Sequence, residues 1–354
     1  MRSAGSDAEA GGPGARQPGA RLSGVRQHGA RQPGASEPGS REPAGSGSLL
    51  GRVPPSALVG VGIVSVQLGA GVAGRLFTEI PAAAVTGLRL WTSAVIMAAI
   101  GGRALARTLG DMIRRRRWQD AGVAVAFGVT LGIMNFSIYQ SFARIPLGIA
   151  VTVEFLGPLA VAVVSSRRAI DLLWVGLAGL GVALLARGGT SLASGAVPGS
   201  RGGPGLAAAG IAFALVAAAA WAAYIMLSAS TGRRLSGSSG LAIAMVIAAL
   251  VVTPPAVAAG HAALLRPGVL ATGAAIGLLS SVIPYRFELE ALRRITPRVF
   301  GIWMSLEPAV ATVIGLVLLG EALAAREWAA MCLVTVASAG AARGASGAAQ
   351  APQA

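Results

Sequence analysis

The sequence contains no lysine, a single cysteine and two histidines among its 354 residues. A lone cysteine, Cys332, excludes an internal disulfide bond. With so few of these residues, no histidine, cysteine and carboxylate side chains share the spacing of a metal site. The sequence therefore predicts no metal centre and no other cofactor.

Charged residues are also scarce. They make up 12% of the chain, against 54% hydrophobic residues, and the mean hydropathy is +0.68. A membrane-spanning helix needs about 20 mostly apolar residues. The chain holds ten segments of about this length, at 56–74, 82–101, 119–141, 146–166, 171–187, 206–228, 239–259, 268–289, 298–319 and 327–343. An all-α integral membrane protein in contact with the lipid bilayer is predicted.

The fourth segment, in the stretch RIPLGIAVTVEFLGPLAVAVVSSRR, carries Glu154 near its middle and Pro158 four residues later. A charge at the centre of a membrane helix costs roughly 2.5–3.5 kcal/mol on insertion scales, so such residues face a bundle interior or a wet cavity. Pro158 also removes the amide donor for the carbonyl of Glu154 and is predicted to kink the helix. A packing kink, with the glutamate paired to a neighbouring helix, is the alternative.

The ninth segment repeats this plan, with Glu307 directly before Pro308. Glu154 lies four residues before its proline, and Glu307 lies one residue before its own. The difference of three residues is nearly one helical turn, so both glutamates can occupy similar faces of equivalent helices. Pro284 in the eighth segment is the third predicted kink.

The arginines indicate the orientation. With a cytoplasmic N-terminus, 21 of the 29 cationic residues fall on the cytoplasmic side and six on the other. Positive charge is enriched in cytoplasmic loops, so both termini are predicted to be cytoplasmic. The net charge of +15 is explained by these tails and loops, and no nucleic-acid partner is predicted.

The longest linker, 188–204, divides the ten segments into five plus five. Because five is odd, the second half enters the membrane from the opposite side, which gives two inverted five-helix repeats, the plan of many secondary transporters. The predicted units are a first repeat at 56–187 and a second at 206–343. The Gly/Pro/Ser-rich segment 1–50 and residues 344–354 are predicted to be disordered tails.

Several polar and aromatic side chains lie deep in the segments. An ammonium group can bind carboxylates and aromatic faces together. For Arg89 the alternatives are snorkelling to the interface, an ion pair with Glu154, and a substrate carboxylate. The candidates for substrate binding or coupling are Glu154, Glu307, Asn135, Tyr139, Trp221, Tyr224, Tyr285, Trp303 and Arg89. Glu288 and Glu290 are assigned to a solvated ion-pair cluster near Arg293 and Arg294.

The stretches PLGIAVTVEFLGPLAVAVVSSRR, ALRRITPRVFGIWMSLEPAVA, SSVIPYRFELEAL, AAAAWAAYIMLS, TGLRL and LGE (319–321) resemble the EamA branch of the drug/metabolite transporter superfamily. Within it they are similar to the bacterial inner-membrane threonine/homoserine exporter group, over residues 56–342. Arg286 departs from this pattern, since the family has a small polar residue in its PYSLE-like stretch.

The resemblance implies an efflux carrier in the cytoplasmic membrane that exports small amino acids or related metabolites by alternating access. Its cavity would be lined by the first, third, fourth, sixth, eighth and ninth segments, and a proton is the predicted coupling ion. A carrier for another metabolite or a drug-like solute is the alternative. A membrane enzyme or a channel is disfavoured, because paired Asp clusters, a Ser/His pair and a continuous polar lining are absent from the sequence. The oligomeric state stays open.

Overall fold

The computed structural model describes residues 53–165, 170–186, 204–235 and 239–345. This part of the chain is helical throughout and contains no β-strand, which confirms the predicted all-α membrane fold. Its helices are α1 Pro55–Leu76, α2 Ala82–Arg114, α3 Trp118–Phe142, α4 Leu147–Glu154 and Leu156–Ser165, α5 Asp171–Ala186, α6 Pro204–Arg234, α7 Ser239–Gly260, α8 Pro267–Leu292, α9 Pro297–Met304 and Glu307–Leu319, and α10 Ala325–Ala345.

Eight of these helices are long and apolar enough to cross a bilayer, and α5 is a shorter apolar helix. Large apolar side chains remain exposed around the outside of the bundle, for example Val95 at 60% and Val313 at 52%. Such exposure is costly in water but suits a lipid-facing surface, because lipid tails are as apolar as leucine. The protein is therefore a multi-pass membrane protein.

The packing of the helices repeats between the two halves of the bundle. Helix α1 packs against α8 as α6 packs against α3, and α2 packs against α8 as α7 packs against α3. Helices α2 and α7, α4 and α9, and α5 and α10 also pack against each other. If each helix is replaced by the helix five positions away in the chain, each of these packed pairs becomes another packed pair or itself. A two-fold relation between the halves requires this pattern. With five helices in each half, equivalent helices are expected to run in opposite directions, as the predicted inverted repeat requires. The exact boundaries of the two repeats remain predictions.

Helix α2 is longer than predicted. The sequence placed its end at residue 101, whereas helical structure continues to Arg114 beyond a kink at Gly102. Gly102 has φ 38°, a conformation that a residue without a Cβ atom adopts at little cost. The segment after it contains no proline that would prevent a further helical turn. The kink thus falls directly after the predicted end of the span, and the residues that follow it are helical to Arg114.

Three helices that surround the centre are irregular. Helix α4 is interrupted at Phe155, and α9 at Ser305 and Leu306. Helix α8 contains a π-helical segment, Leu278–Val282, and α9 ends in another, Gly315–Leu319. Irregular backbone at membrane depth is tolerated where it is buried in protein or lines a water-filled cavity.

The predicted tail 1–50 and the linker up to residue 203 lie outside the described residues. So do Arg167, Arg168 and residues 346–354.

Candidate substrate site

A cavity of about 160 Å³ lies between the two halves of the bundle, lined by α1, α2, α3, α4, α6, α8 and α9. A single water needs roughly 10–15 Å³ on this measure, so the cavity has room for a small solute. Eight of the nine residues predicted to bind substrate line it: Arg89, Asn135, Tyr139, Glu154, Trp221, Tyr224, Tyr285 and Glu307. The structure thus brings together residues from six helices that are far apart in the chain.

Glu154 is the last residue of the first segment of α4, and every residue of that segment is buried. Pro158 follows the break at Phe155 by three residues. Because proline has no N–H, the carbonyl of Glu154 lacks the donor that a regular helix would supply. The side chain is 9% exposed, and among the described residues it has no hydrogen-bond or ion-pair partner. The residue therefore ends one helical segment, and α4 resumes at Leu156.

Glu307 occupies the opposite kind of position. It begins the second segment of α9, directly before Pro308, so the positive end of the helix dipole favours its carboxylate. The side chain is 7% exposed and accepts a hydrogen bond from Gln67 Nε2 at 3.0 Å through Oε1. Its other oxygen, Oε2, is buried without a partner.

Arg89 reaches the cavity from α2. Its Nη2 donates to the carbonyl of Ser280 at 3.1 Å, and its guanidinium carbon lies 5.0 Å from the centre of the Tyr139 ring. Its Nε is buried without a partner. Ser280 is four residues before Pro284, so it is the carbonyl that this proline leaves without a helical donor. Arg89 attracts Glu154 electrostatically, but the described part of the chain shows no ion pair between them within 4.0 Å.

Aromatic side chains form the walls of the cavity. Tyr139 is 1% exposed, and its hydroxyl is buried without a partner. Trp221 meets the Phe155 ring edge-on, with centroids 5.0 Å apart. Tyr224 packs beside Phe127 at 5.1 Å. The lining therefore combines apolar faces with a few polar groups, as in most small-molecule sites.

Asn135 lines the cavity, but its side-chain amide is already engaged. It is 3% exposed, and its Nδ2 donates to the carbonyl of Leu131, one turn earlier in α3, at 2.8 Å. The side-chain oxygen is then the group left to accept a hydrogen bond from a solute.

Trp303 is not among the lining residues. It packs instead against a cluster that includes Leu58 and Val59 of α1, while its neighbour Met304 lines the cavity. On a continuous helix Trp303 and Glu307 would lie about one turn apart, on one face. The break at Ser305 and Leu306 lies between them, so this spacing does not place them on one face.

Glu288 was wrongly assigned to a solvated ion-pair cluster. Glu290 does pair with Arg293, at 3.6 Å, and with Arg294. Glu288 instead lines the cavity and interacts electrostatically with Glu307. It follows Tyr285 by three residues and so lies on the same face of α8, a spacing that identifies it in the sequence.

Two further polar residues complete the comparison with the sequence. Gln67 is 2% exposed and lines the cavity from α1. Its signal in the sequence is that a single glutamine lies within an otherwise apolar segment. Arg286 is exposed and is not among the lining residues. The departure from the family pattern at Arg286 therefore lies outside the cavity.

The architecture is that of a polytopic carrier with a central polar cavity between two halves. Residues 208–342 match the EamA-like transporter family. Over 287 residues, 81% of this chain and 90% of each relative, the chain is 37% identical to threonine/homoserine exporter RhtA of Escherichia coli K12 and 36% identical to RhtA of Salmonella typhimurium LT2. The chain belongs to the EamA-like transporter family and resembles its RhtA threonine/homoserine exporters.

A solved crystal structure supports the fold alone. It covers 80% of this chain and 96% of its own, with a TM-score of 0.50 and 18% sequence identity.

Proposed function

We propose that this protein exports threonine, homoserine or closely related small amino acids across the cytoplasmic membrane by alternating access. The observation that carries the proposal is the pattern of charge in the cavity, where the guanidinium of Arg89 faces the same space as Glu154, Glu288 and Glu307. A zwitterionic amino acid presents a carboxylate and an ammonium group a few ångströms apart, and it matches both signs. The names of the relatives, threonine/homoserine exporters, support the same substrate class.

The size of the cavity favours a small substrate. At about 160 Å³ it is smaller than the roughly 300–1,000 Å³ typical of sites for drug-sized ligands. The aromatic walls add a second attraction for an ammonium group, since a cation over an aromatic face gains about 0.5–2 kcal/mol. A carrier for larger drug-like solutes is therefore the weaker alternative.

The position of Glu154 supports a further part of the proposal, coupling of export to a proton. An ionised carboxylate at membrane depth is costly without a compensating charge, and this one has no partner among the described residues. The ammonium group of the substrate supplies the compensating charge on the outward step, and a proton replaces it on the return. One proton that enters through 100 mV contributes about 2.3 kcal/mol, enough for a gradient of roughly fifty-fold.

Both termini are cytoplasmic in this proposal, as the arginine distribution predicts. Reporter fusions within 102–117 should give a cytoplasmic signal, and fusions within 188–204 an external one. A cytoplasmic signal from 188–204 would contradict the inverted orientation of the halves.

The function can be tested by counterflow in vesicles of purified protein loaded with unlabelled threonine. Labelled threonine and homoserine should accumulate transiently, and unlabelled small amino acids should compete in a saturable way. Protein-free vesicles give the background. Exchange of anionic solutes such as succinate, with no exchange of amino acids, would refute the proposal.

A further inference from the structure

Arg89 is the only guanidinium among the described lining residues of the cavity. We propose that Arg89 binds the carboxylate of the transported amino acid by exchanging its bond to the Ser280 carbonyl for bonds to the substrate, and that this exchange frees the π-helical segment of α8. The inference rests on the proposed function and adds the group that recognises the carboxylate.

The donors of Arg89 are arranged for such an exchange. Nε and Nη2 lie along one edge of a guanidinium group and together bind both oxygens of a carboxylate. In the structure Nη2 is engaged by one neutral carbonyl, at 3.1 Å, while Nε is buried without a partner. Half of a two-donor edge is therefore unused beside the cavity. A charged acceptor bonds roughly twice as strongly as a neutral one, so a carboxylate displaces the carbonyl and also satisfies Nε.

The Ser280 carbonyl, which accepts the hydrogen bond from Arg89, belongs to an irregular segment. Pro284 removes the regular donor for Ser280, and Leu278–Val282 adopts π-helical geometry. The hydroxyl groups of Ser280 and Ser281 are also buried without partners. Bulges of this kind are frequent at functional sites. Loss of the bond from Arg89 therefore removes one of the contacts that fix the segment.

Other contacts hold the segment against α1. Ser65 Oγ donates to the carbonyl of Leu279 at 2.7 Å, and Gly69 lies directly against Ser280. Helix α1 also carries Gln67, which donates a hydrogen bond to Glu307. The π-helical segment is therefore bonded directly to Arg89 and is connected to Glu307 through α1. Binding of a carboxylate at Arg89 is thus transmitted to the helix that carries Tyr285 and Glu288.

The chain contains a matched control. Arg75 Nε donates to the carbonyl of Leu318 at 2.9 Å, and Leu318 lies in the other π-helical segment, Gly315–Leu319. Arg75 therefore makes the same kind of bond as Arg89, but it does not line the central cavity. Arg75 is exposed and Arg89 is partly buried, so the comparison concerns the direction of the effect. If both arginines only support their π-helical segments, Arg75→Gln and Arg89→Gln should change transport in the same way.

The test compares inhibition of labelled threonine counterflow by threonine and by threonine amide, which lacks the carboxylate. Wild type and Arg75→Gln should prefer threonine by at least about tenfold, and Arg89→Gln should lose this preference. Arg89→Lys keeps the charge but not the two-donor edge, so it should retain only part of the preference and provides a second variant if Arg89→Gln does not fold. In the wild type, threonine should increase hydrogen exchange at the backbone N–H groups of residues 278–282, whereas threonine amide should not.

The outcomes separate the two proposals. If wild-type protein neither carries nor binds threonine and homoserine, the proposed function is wrong and this inference is lost with it. If wild type carries threonine and the Arg89 variants keep its full preference over the amide, only the role of Arg89 is refuted. Equal loss of the preference in Arg75→Gln would also refute it, because the effect would then follow from helix stability.

Discussion

Glu321 provides a prediction whose size can be worked out from the structure. Its Oε2 accepts the N–H of Leu147, the first residue of α4, at 2.9 Å. Pro146 precedes that helix and offers no side-chain acceptor, so a carboxyl group from the other half of the chain serves as the cap. Gly320, at φ 70°, turns the chain so that Glu321 can reach it. The side chain is 5% exposed.

Burial raises the pKa of Glu321 from 4.5 to about 7, although the hydrogen bond from Leu147 acts in the opposite direction. The folded protein then holds this proton more tightly than the unfolded chain. Ionisation therefore costs stability, which falls as the pH rises from about 4.5 to about 7 and is constant above that range. A shift of this size corresponds to about 3 kcal/mol, since one pKa unit is worth about 1.4 kcal/mol.

Glu321→Gln keeps an acceptor for Leu147 but cannot ionise. It should match the wild type near pH 4.5 and exceed it at pH 8, by up to about 3 kcal/mol in the free energy of unfolding. Thermal unfolding of purified protein across this pH range measures the difference. Glu321→Ala, which also loses the acceptor, should fall below Glu321→Gln at every pH by about 0.5–2 kcal/mol. Parallel pH profiles of wild type and Glu321→Gln would refute the reasoning.

Other consequences of the structure can be tested in the same preparations. Glu154→Gln should insert and fold but lose uphill export driven by a pH gradient; normal pH-driven export would end the coupling proposal. Glu307→Gln should be impaired less, which initial export rates will measure. Gly128→Ala should destabilise the bundle by about 1–3 kcal/mol, because its new Cβ would lie 2.9 Å from a backbone oxygen of α7. Gly122→Ala is the control, with nothing within 4 Å, and should be neutral or stabilising by up to about 1 kcal/mol. Deletion of residues 1–48 should leave counterflow unchanged.

The spans and their irregularities follow from local chemistry that is visible in the sequence. Apolar runs of sufficient length predict membrane helices, and each proline removes a donor at a known carbonyl. Gly128 and Gly132, four residues apart in α3, pack against α7, and such spacing of small residues is typical of close helix packing in membranes. Such features need only near neighbours along the chain, so they can be predicted without knowledge of the fold.

The errors arise where one irregularity changes the meaning of spacing further along. Trp303 and Glu307 are four residues apart, but the interruption between them removes the helical periodicity on which the prediction depended. Glu288 was judged by the arginines that follow it, although its position relative to Tyr285 was the better guide. The cap from Glu321 to Leu147 joins residues 174 apart, and no local pattern encodes that contact.

The two glutamates beside the broken helices are equivalent in the repeat, yet their surroundings differ. Glu307 begins a helical segment and receives a hydrogen bond from Gln67, so one of its carboxyl oxygens has a fixed donor within the protein. Glu154 ends a segment and has no partner among the described residues, so its charge depends on what enters the cavity. In the proposed cycle the charge of Glu154 is compensated in turn by substrate and by a proton, whereas Glu307 keeps its fixed partner. The shift of three residues relative to the proline accompanies opposite placements, since Glu154 ends its helical segment and Glu307 begins its own. This difference between the halves is why Glu154→Gln is expected to abolish coupling, whereas Glu307→Gln only weakens it.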